Sequence, residues 1–103
     1  MIISGGVNIY PQEIEDAMIL HPAVQDVAVF GVPNPDFGEE VKAVIQLSHK
    51  FTDEEKLTDD LMEFAREKLA AYKVPRTIDY VDELPRLPTG KLYKRILKEK
   101  YWP

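Results

Sequence analysis

Between residues 27 and 47 the apolar positions change period, and that change frames the rest of the chain. Val27-Ala28-Val29-Phe30-Gly31-Val32 is apolar almost throughout, as expected of a strand buried on both faces. Val41, Ala43, Ile45 and Leu47 then alternate with Lys42, Val44, Gln46 and Ser48, the period of two of a strand with one better-buried face. Pro33-Asn34-Pro35-Asp36 lies between them and predicts a turn, so the pair reads as a β-hairpin with a long, proline-rich connection. Upstream, Met1-Ile2-Ile3 and Val7-Asn8-Ile9-Tyr10 flank Ser4-Gly5-Gly6, which predicts a second, smaller hairpin whose glycines permit positive φ or close approach by another group.

Helical spacing occupies the remaining stretches. Pro11 at a first helical position, the acids Glu13, Glu15 and Asp16 near the positive helix end, and Ile14, Ala17 and Met18 on one face predict about three turns, stopped by Pro22. His21, just before that proline, reads as part of the helix terminus. Thr58 is the expected cap of a second helix, with Asp59 and Asp60 in its first turn and Leu61, Phe64, Ala65 and Leu69 along its buried face. Thr77-Ile78-Asp79-Tyr80-Val81 predicts another strand, with Asp79, Asp82 and Glu83 on a solvated edge. Pro85, Pro88 and Gly90 predict an extended loop before a last helix near residues 92–100. The expected order is β-hairpin, α, β, β, α, β, loop, α. It defines one α+β domain over residues 1–103, a two-layer sandwich of a small hairpin and a three-stranded sheet packed with helices.

Composition narrows the chemistry. At 103 residues, 45% hydrophobic and 30% charged, the chain suffices for one core and leaves little surface for a deep private cleft. It has no cysteine, and His21 and His49 are far apart, so neither disulfides nor a zinc or iron site is expected. No apolar run approaches the ~20 residues of a membrane span, and the first residues lack a signal peptide's basic flank. Cytoplasm is the expected compartment. The net charge of −5 argues against a general polyanion binder, yet residues 86–100 carry six bases (Arg86, Lys91, Lys94, Arg95, Lys98, Lys100) against one acid, Glu99.

Three segments could carry chemistry. Leu87-Pro88-Thr89-Gly90-Lys91-Leu92-Tyr93-Lys94-Arg95 is a basic segment launched from a loop that Pro85 and Pro88 stiffen; it presents one ammonium, Lys91, a mobile point charge suited to a phosphoryl or carboxylate oxygen, and the plainer possibility is one solvated lysine among several on a basic helix. In Ser4-Gly5-Gly6 the missing side chains would let a thin ligand follow the backbone and receive amide hydrogen bonds, although an ordinary hairpin turn explains it too. It does not have the spacing of a P-loop. Tyr72-Lys73-Val74-Pro75-Arg76 offers an aromatic ring and two cations for an adenine and a phosphate, or is merely a helix end.

Four ordered blocks then carry a resemblance: Ile2-Ile3-Ser4-Gly5-Gly6-Val7-Asn8-Ile9-Tyr10-Pro11-Gln12-Glu13-Ile14-Glu15; His21-Pro22-Ala23-Val24 with Val27 to Pro33; Tyr72-Lys73-Val74-Pro75; and Leu84-Pro85-Arg86-Leu87-Pro88-Thr89-Gly90-Lys91. Over its full length the chain closely resembles the C-terminal domain of acyl-CoA synthetases of the adenylate-forming superfamily. The resemblance implies a fatty-acid-type ligase reaction in two steps. A carboxylate attacks the α-phosphate of ATP, with Mg2+, to give acyl-AMP and pyrophosphate, and the thiol of CoA then displaces AMP. It implies Lys91 as the catalytic lysine of the first step. It implies that the domain then rotates as a lid and brings Ser4, Gly5 and Gly6 to line the pantetheine tunnel. Lys73, Arg76, Lys94 and Arg95 are the further expected cofactor contacts, and no metal ligand is expected here.

The ATP motif and acyl pocket belong to a large N-terminal domain, the implied partner, so the isolated domain is expected to be inactive. A hinge aspartate or lysine is expected just ahead of Met1. Lids of nonribosomal-peptide adenylation domains and of luciferase-like enzymes share these features, though Asn8-Ile9-Tyr10-Pro11 looks more like the CoA ligase branch. Acylation of Lys91 would silence it by removing its charge. From a different class, a freestanding module could bind anionic protein or RNA through the basic tail. No RNA-recognition signature accompanies that tail, and no nucleic acid is expected.

Overall fold

The period of two in the central strands decides where everything else packs. In the computed structural model, which describes residues 1–103, β1 (Ile2–Ser4) and β2 (Val7–Ile9) form the first hairpin and α1 spans Pro11–Met18. β3 (Val24–Asn34) and β4 (Gly38–Leu47) form the second, followed by α2 (Glu54–Lys68), a 3-10 turn at Ala71–Lys73, β5 (Thr77–Val81) and α3 (Lys94–Glu99). Successive strand side chains point to opposite faces, so the apolar run of β3 divides between two cores. Val27 and Val29 join Val41, Ala43 and Ile45 of β4 against Ile14 and Met18 of α1 and Leu57, Leu61 and Ala65 of α2. Ala28, Phe30 and Val32 join Val44 against Leu84 and Leu97 of α3. The main layer of helices is thus α1 and α2, while α3 and the chain leading to it close the other face.

β4 is the hub of the sheet. It pairs antiparallel with β3 from Val24↔Leu47 to Asn34↔Gly38 and parallel with β5 from Lys42↔Thr77 to Gln46↔Val81. On the same side as β5, β4 also meets β1 at Ser4↔Gly38, so β1 and β5 follow one another along one edge and β3 has no strand on its outer side. The first hairpin is therefore part of a five-stranded sheet, where the sequence predicts a separate one. Two polar ties attach it: Glu39 Oε2 accepts from Ile3 N at 3.1 Å, and Gly5 N donates to Phe37 O at 2.9 Å.

Other departures have local causes. The long connection expected at residues 33–36 is a tight turn, because β3 runs on through Pro33 and Asn34. The Asn34 side-chain oxygen then accepts from Asp36 N and Phe37 N at 2.8 and 2.9 Å, an Asx-type closure. α1 ends at Met18, short of three turns. Thr58 is not the cap of α2: the helix begins at Glu54, and Asp53 caps it by accepting from Lys56 N at 3.0 Å. Thr58 lies inside, its hydroxyl donating back to Glu54 O at 2.8 Å and meeting Tyr80 OH at 2.6 Å. The last helix is shorter than expected, Lys94–Glu99.

His21 does follow α1, but it is buried and ties two helices. Its Nε2 is 2.9 Å from Asp60 Oδ2, its Nδ1 accepts from Ala23 N at 3.0 Å, and its ring packs edge-on against Phe64 at 5.0 Å. Asp79 does stand on the edge strand β5 with its side chain partly exposed, but it is paired as well. It accepts from Lys42 Nζ at 2.9 Å and from Tyr101 OH, which binds the C-terminal residues to β4 and β5.

Candidate functional site

Pro85 and Pro88 do not hold residues 85–93 extended. The segment folds into a miniature hairpin in which Arg86 and Leu92 form an antiparallel bridge. Leu87 N donates to Lys91 O at 2.8 Å, Gly90 N to Leu87 O at 2.8 Å and Tyr93 N to Pro85 O at 2.9 Å. Gly90 closes the turn at φ +92°, a conformation that a side chain would strain. Lys91 follows directly and is exposed.

The bases around Lys91 are all occupied. Arg86 Nη2 lies 2.7 Å from Asp26 Oδ2, Lys94 Nζ 2.9 Å from Glu15 Oε2, and Arg95 Nε 3.5 Å from Glu99 Oε1. Lys91 alone among the bases of residues 86–95 has no carboxylate within 4.0 Å. Glu15, read from sequence as a helix-end acid, is 7% exposed and also accepts from Val29 N at 2.8 Å. A groove of about 500 Å3 runs between α1 and this hairpin, with Asp16, Asp26, Arg86, Lys91 and Lys94 among its walls.

The glycine turn occupies another part of the surface. Gly5 and Gly6 have φ of +57° and +81°, the doubly left-handed turn that matches the twist of a two-residue hairpin loop. The amide of Gly5 is committed to Phe37 O, whereas that of Gly6 donates to no protein acceptor. A Cβ on Gly5 would touch Phe37 Cδ1 at 3.4 Å; one on Gly6 would meet nothing within 4 Å. Ser4 and Gly5 line a groove of about 220 Å3 together with Phe37, Tyr72 and Arg76. Two segments noticed separately in the sequence thus share one cavity, which has no wall residue in common with the groove beside Lys91.

Within the second segment the two cations differ. Arg76 is exposed, stacks its guanidinium 4.8 Å from the centre of the Phe37 ring and has no carboxylate partner. Lys73 is clasped by both oxygens of Glu13, at 2.9 and 2.7 Å. That hydrogen bonding holds its ammonium above the usual lysine value, outweighing a smaller opposing effect of burial. Lys73, Lys94 and Arg95, expected as cofactor contacts, are all ion-paired within the domain. No three His, Cys, Asp or Glu side chains come together as a metal site would need. Sequence inspection left Asp26 and Glu15 without partners, because Arg86 is sixty residues from Asp26 and nothing local announces the pairing.

Residues 13–91 match the family model described as the AMP-binding enzyme C-terminal domain. The chain is 49% identical over 100 residues to the 3-oxocholest-4-en-26-oate–CoA ligase of Rhodococcus rhodochrous, covering 96% of this chain and 17% of that protein. It is 43% identical over 104 residues to the mitochondrial acyl-coenzyme A synthetase ACSM4 of Mus musculus, covering 99% and 18%. Among solved structures, the ATP-bound RpMatB-BxBclM chimera B1 superposes with a TM-score of 0.92 at 42% identity, over 98% of this chain and 20% of that one. The chain thus spans about a fifth of the length of the proteins it matches. Fold, matched segment and identity agree: the chain belongs to the AMP-binding enzyme C-terminal domain family, in the company of acyl-CoA ligases.

Proposed function

We propose that the chain serves as the mobile lid of an AMP-forming acyl-CoA synthetase, working with a large nucleotide- and acyl-binding domain of the same enzyme. The observation that carries this reading is the unpaired Lys91 ammonium on a braced hairpin whose neighbouring bases are neutralised. In adenylation a carboxylate oxygen of the acid bonds to the α-phosphorus of ATP and the bond to pyrophosphate breaks. Lys91 offers its three donors to the charge shared between carboxylate and α-phosphate, a stabilisation that is strongest where water is excluded. Magnesium accompanies ATP in this proposal, with its ligands outside this chain.

In the second step the lid turns, Lys91 withdraws, and the Ser4-Gly5-Gly6 turn borders the path of the CoA pantetheine arm. Support comes from the open space over Gly6, its free amide, and Tyr72 and Arg76 at the adjoining groove, an aromatic face and a cation available to the CoA nucleotide. The separation of the two grooves suits a domain that presents one face per step. A non-enzymatic polyanion-binding module is the poorer reading, because three of the six bases in residues 86–100 are bound to acids of the same chain. Cytoplasm is the proposed compartment; no helix is long and apolar enough to cross a membrane.

The test separates the two half-reactions in the full-length enzyme. Lys91→Ala is expected to slow acyl-AMP formation by about 10²-fold or more, as for loss of one charge-stabilising donor, with thioester formation from supplied acyl-AMP retained. Gly6→Leu should give the opposite pattern. Equal damage to both steps by both variants would refute the division of labour.

A further inference from the structure

Gly90 is the soft point of the lysine hairpin. A glycine at φ +92° leaves its own ψ poorly determined by sterics, and that angle sets the direction in which Lys91 leaves the turn. Its carbonyl does not hang free. Arg86, on the opposite arm, donates from Nη1 to Gly90 O. The rest of the same guanidinium is anchored on β3, where Nε and Nη2 lie 3.0 and 2.7 Å from Asp26 Oδ2. The other oxygen of Asp26 accepts from Val27 N at 2.9 Å, so the anchoring carboxylate is itself oriented by the strand.

The chain of contacts therefore runs from a core strand through one planar fork to the peptide just before Lys91. We propose that Arg86, held by Asp26, is a positioning residue for adenylation that fixes the exit direction of Lys91; this rests on the reading of Lys91 as the adenylation lysine. An ammonium delivered to a transition state acts only within a narrow range of distance and angle, and an error of about 1 Å can cost about 10²-fold. Arginine suits the task because its rigid fork serves two acceptors at once. A lysine could keep the ion pair to Asp26 as a point charge but would not hold both partners in a fixed plane. The Lys94–Glu15 pair ties the following helix down through side chains other than Arg86 and Asp26.

The experiment compares Arg86→Ala, Arg86→Lys and Lys91→Ala in the full-length enzyme, with each half-reaction and the thermal midpoint measured. Both Arg86 variants are expected to form acyl-AMP about 10-fold to 10²-fold more slowly at saturating ATP and acid. KM, thermal midpoint and the thioester step from supplied acyl-AMP should stay close to wild type. A wild-type adenylation rate in Arg86→Lys would overturn the proposal, since the ion pair alone would then suffice. So would parallel loss of both half-reactions, which marks a merely structural role. If Lys91→Ala abolishes adenylation and the Arg86 variants do not, only the positioning role fails; if Lys91→Ala is itself harmless, the reading of the lysine fails and this inference goes with it.

Discussion

Position 15 holds a carboxylate that is 7% exposed yet serves three elements. Glu15 stands on α1, accepts from Val29 N of β3 at 2.8 Å and pairs with Lys94 of α3 at 2.9 Å. Removing this nearly buried carboxylate leaves the buried Val29 N without its acceptor. Lys94 is partly exposed and can take water instead, so the cost is chiefly that of the unpaired Val29 N: Glu15→Ala should destabilise the domain by about 1–3 kcal/mol in urea denaturation, and Glu15→Gln, which keeps an acceptor for Val29 N, by clearly less. A turn ahead of Lys91 was legible from Pro88 and Gly90 beside it, whereas those neighbours fit a plain solvated lysine equally well and its role as the adenylation lysine was implied by the family resemblance alone. The tie at Glu15 was not legible. An acid in the first half of a helix is favoured there by the helix dipole alone, so its residue type carried no trace of the long-range pairing.

Among the elements, α2 shows how competing local signals are resolved. Thr58 followed by Asp59 and Asp60 has the form of a helix start, but Asp53 followed by Glu54 and Glu55 has it too and lies a full turn earlier. The earlier start prevails because it brings Leu57 into the apolar stripe with Leu61 and Ala65, one more buried side chain against the sheet. Asp53→Ala should cost about 1 kcal/mol by loss of the cap. Thr58→Ala should cost less, because Thr58 lies inside the helix, and urea midpoints of the two variants give the ranking. The strands were legible because alternation over β4 and the apolar run over β3 each admit one period. The attachment of the first hairpin was not, since it depends on Glu39 reaching Ile3 N and on Gly5 meeting Phe37, contacts between distant segments of three-residue strands.

At the scale of the molecule, a polar triad on the α3 face joins the C-terminal residues to the sheet. Lys42 Nζ sits 4.6 Å over the Tyr101 ring and 2.9 Å from Asp79, which Tyr101 OH also reaches. Burial pushes the Tyr101 hydroxyl up to about 12, helped by its hydrogen bond to Asp79 and by that carboxylate's charge. For Asp79, burial alone would raise the carboxyl, but hydrogen bonds from Tyr101 and Lys42 together with the Lys42 charge hold it below its usual value of 3.8. The signs follow from linkage. The raised Tyr101 contributes stability that is complete below its unfolded value of 10.0 and is lost as pH rises through about 12. The lowered Asp79 contributes stability present above 3.8 and lost as pH falls further. Tyr101→Phe should consequently flatten the alkaline limb of a plot of thermal midpoint against pH between 10 and 12, with wild type losing its advantage over that interval.

The same architecture leaves β3 at one margin of the sheet, with the polar groups on its open side in need of partners. Asp26 takes Val27 N, Glu15 takes Val29 N, and the indole of Trp102 donates to Gly31 O at 2.8 Å. Side chains from a strand, a helix and the last turn of the chain thus plug the row of sockets that a foreign strand would otherwise dock into. For the mobile lid proposed above this closes one margin: the domain can expose new faces repeatedly without offering β3 as a seed for amyloid-like stacking.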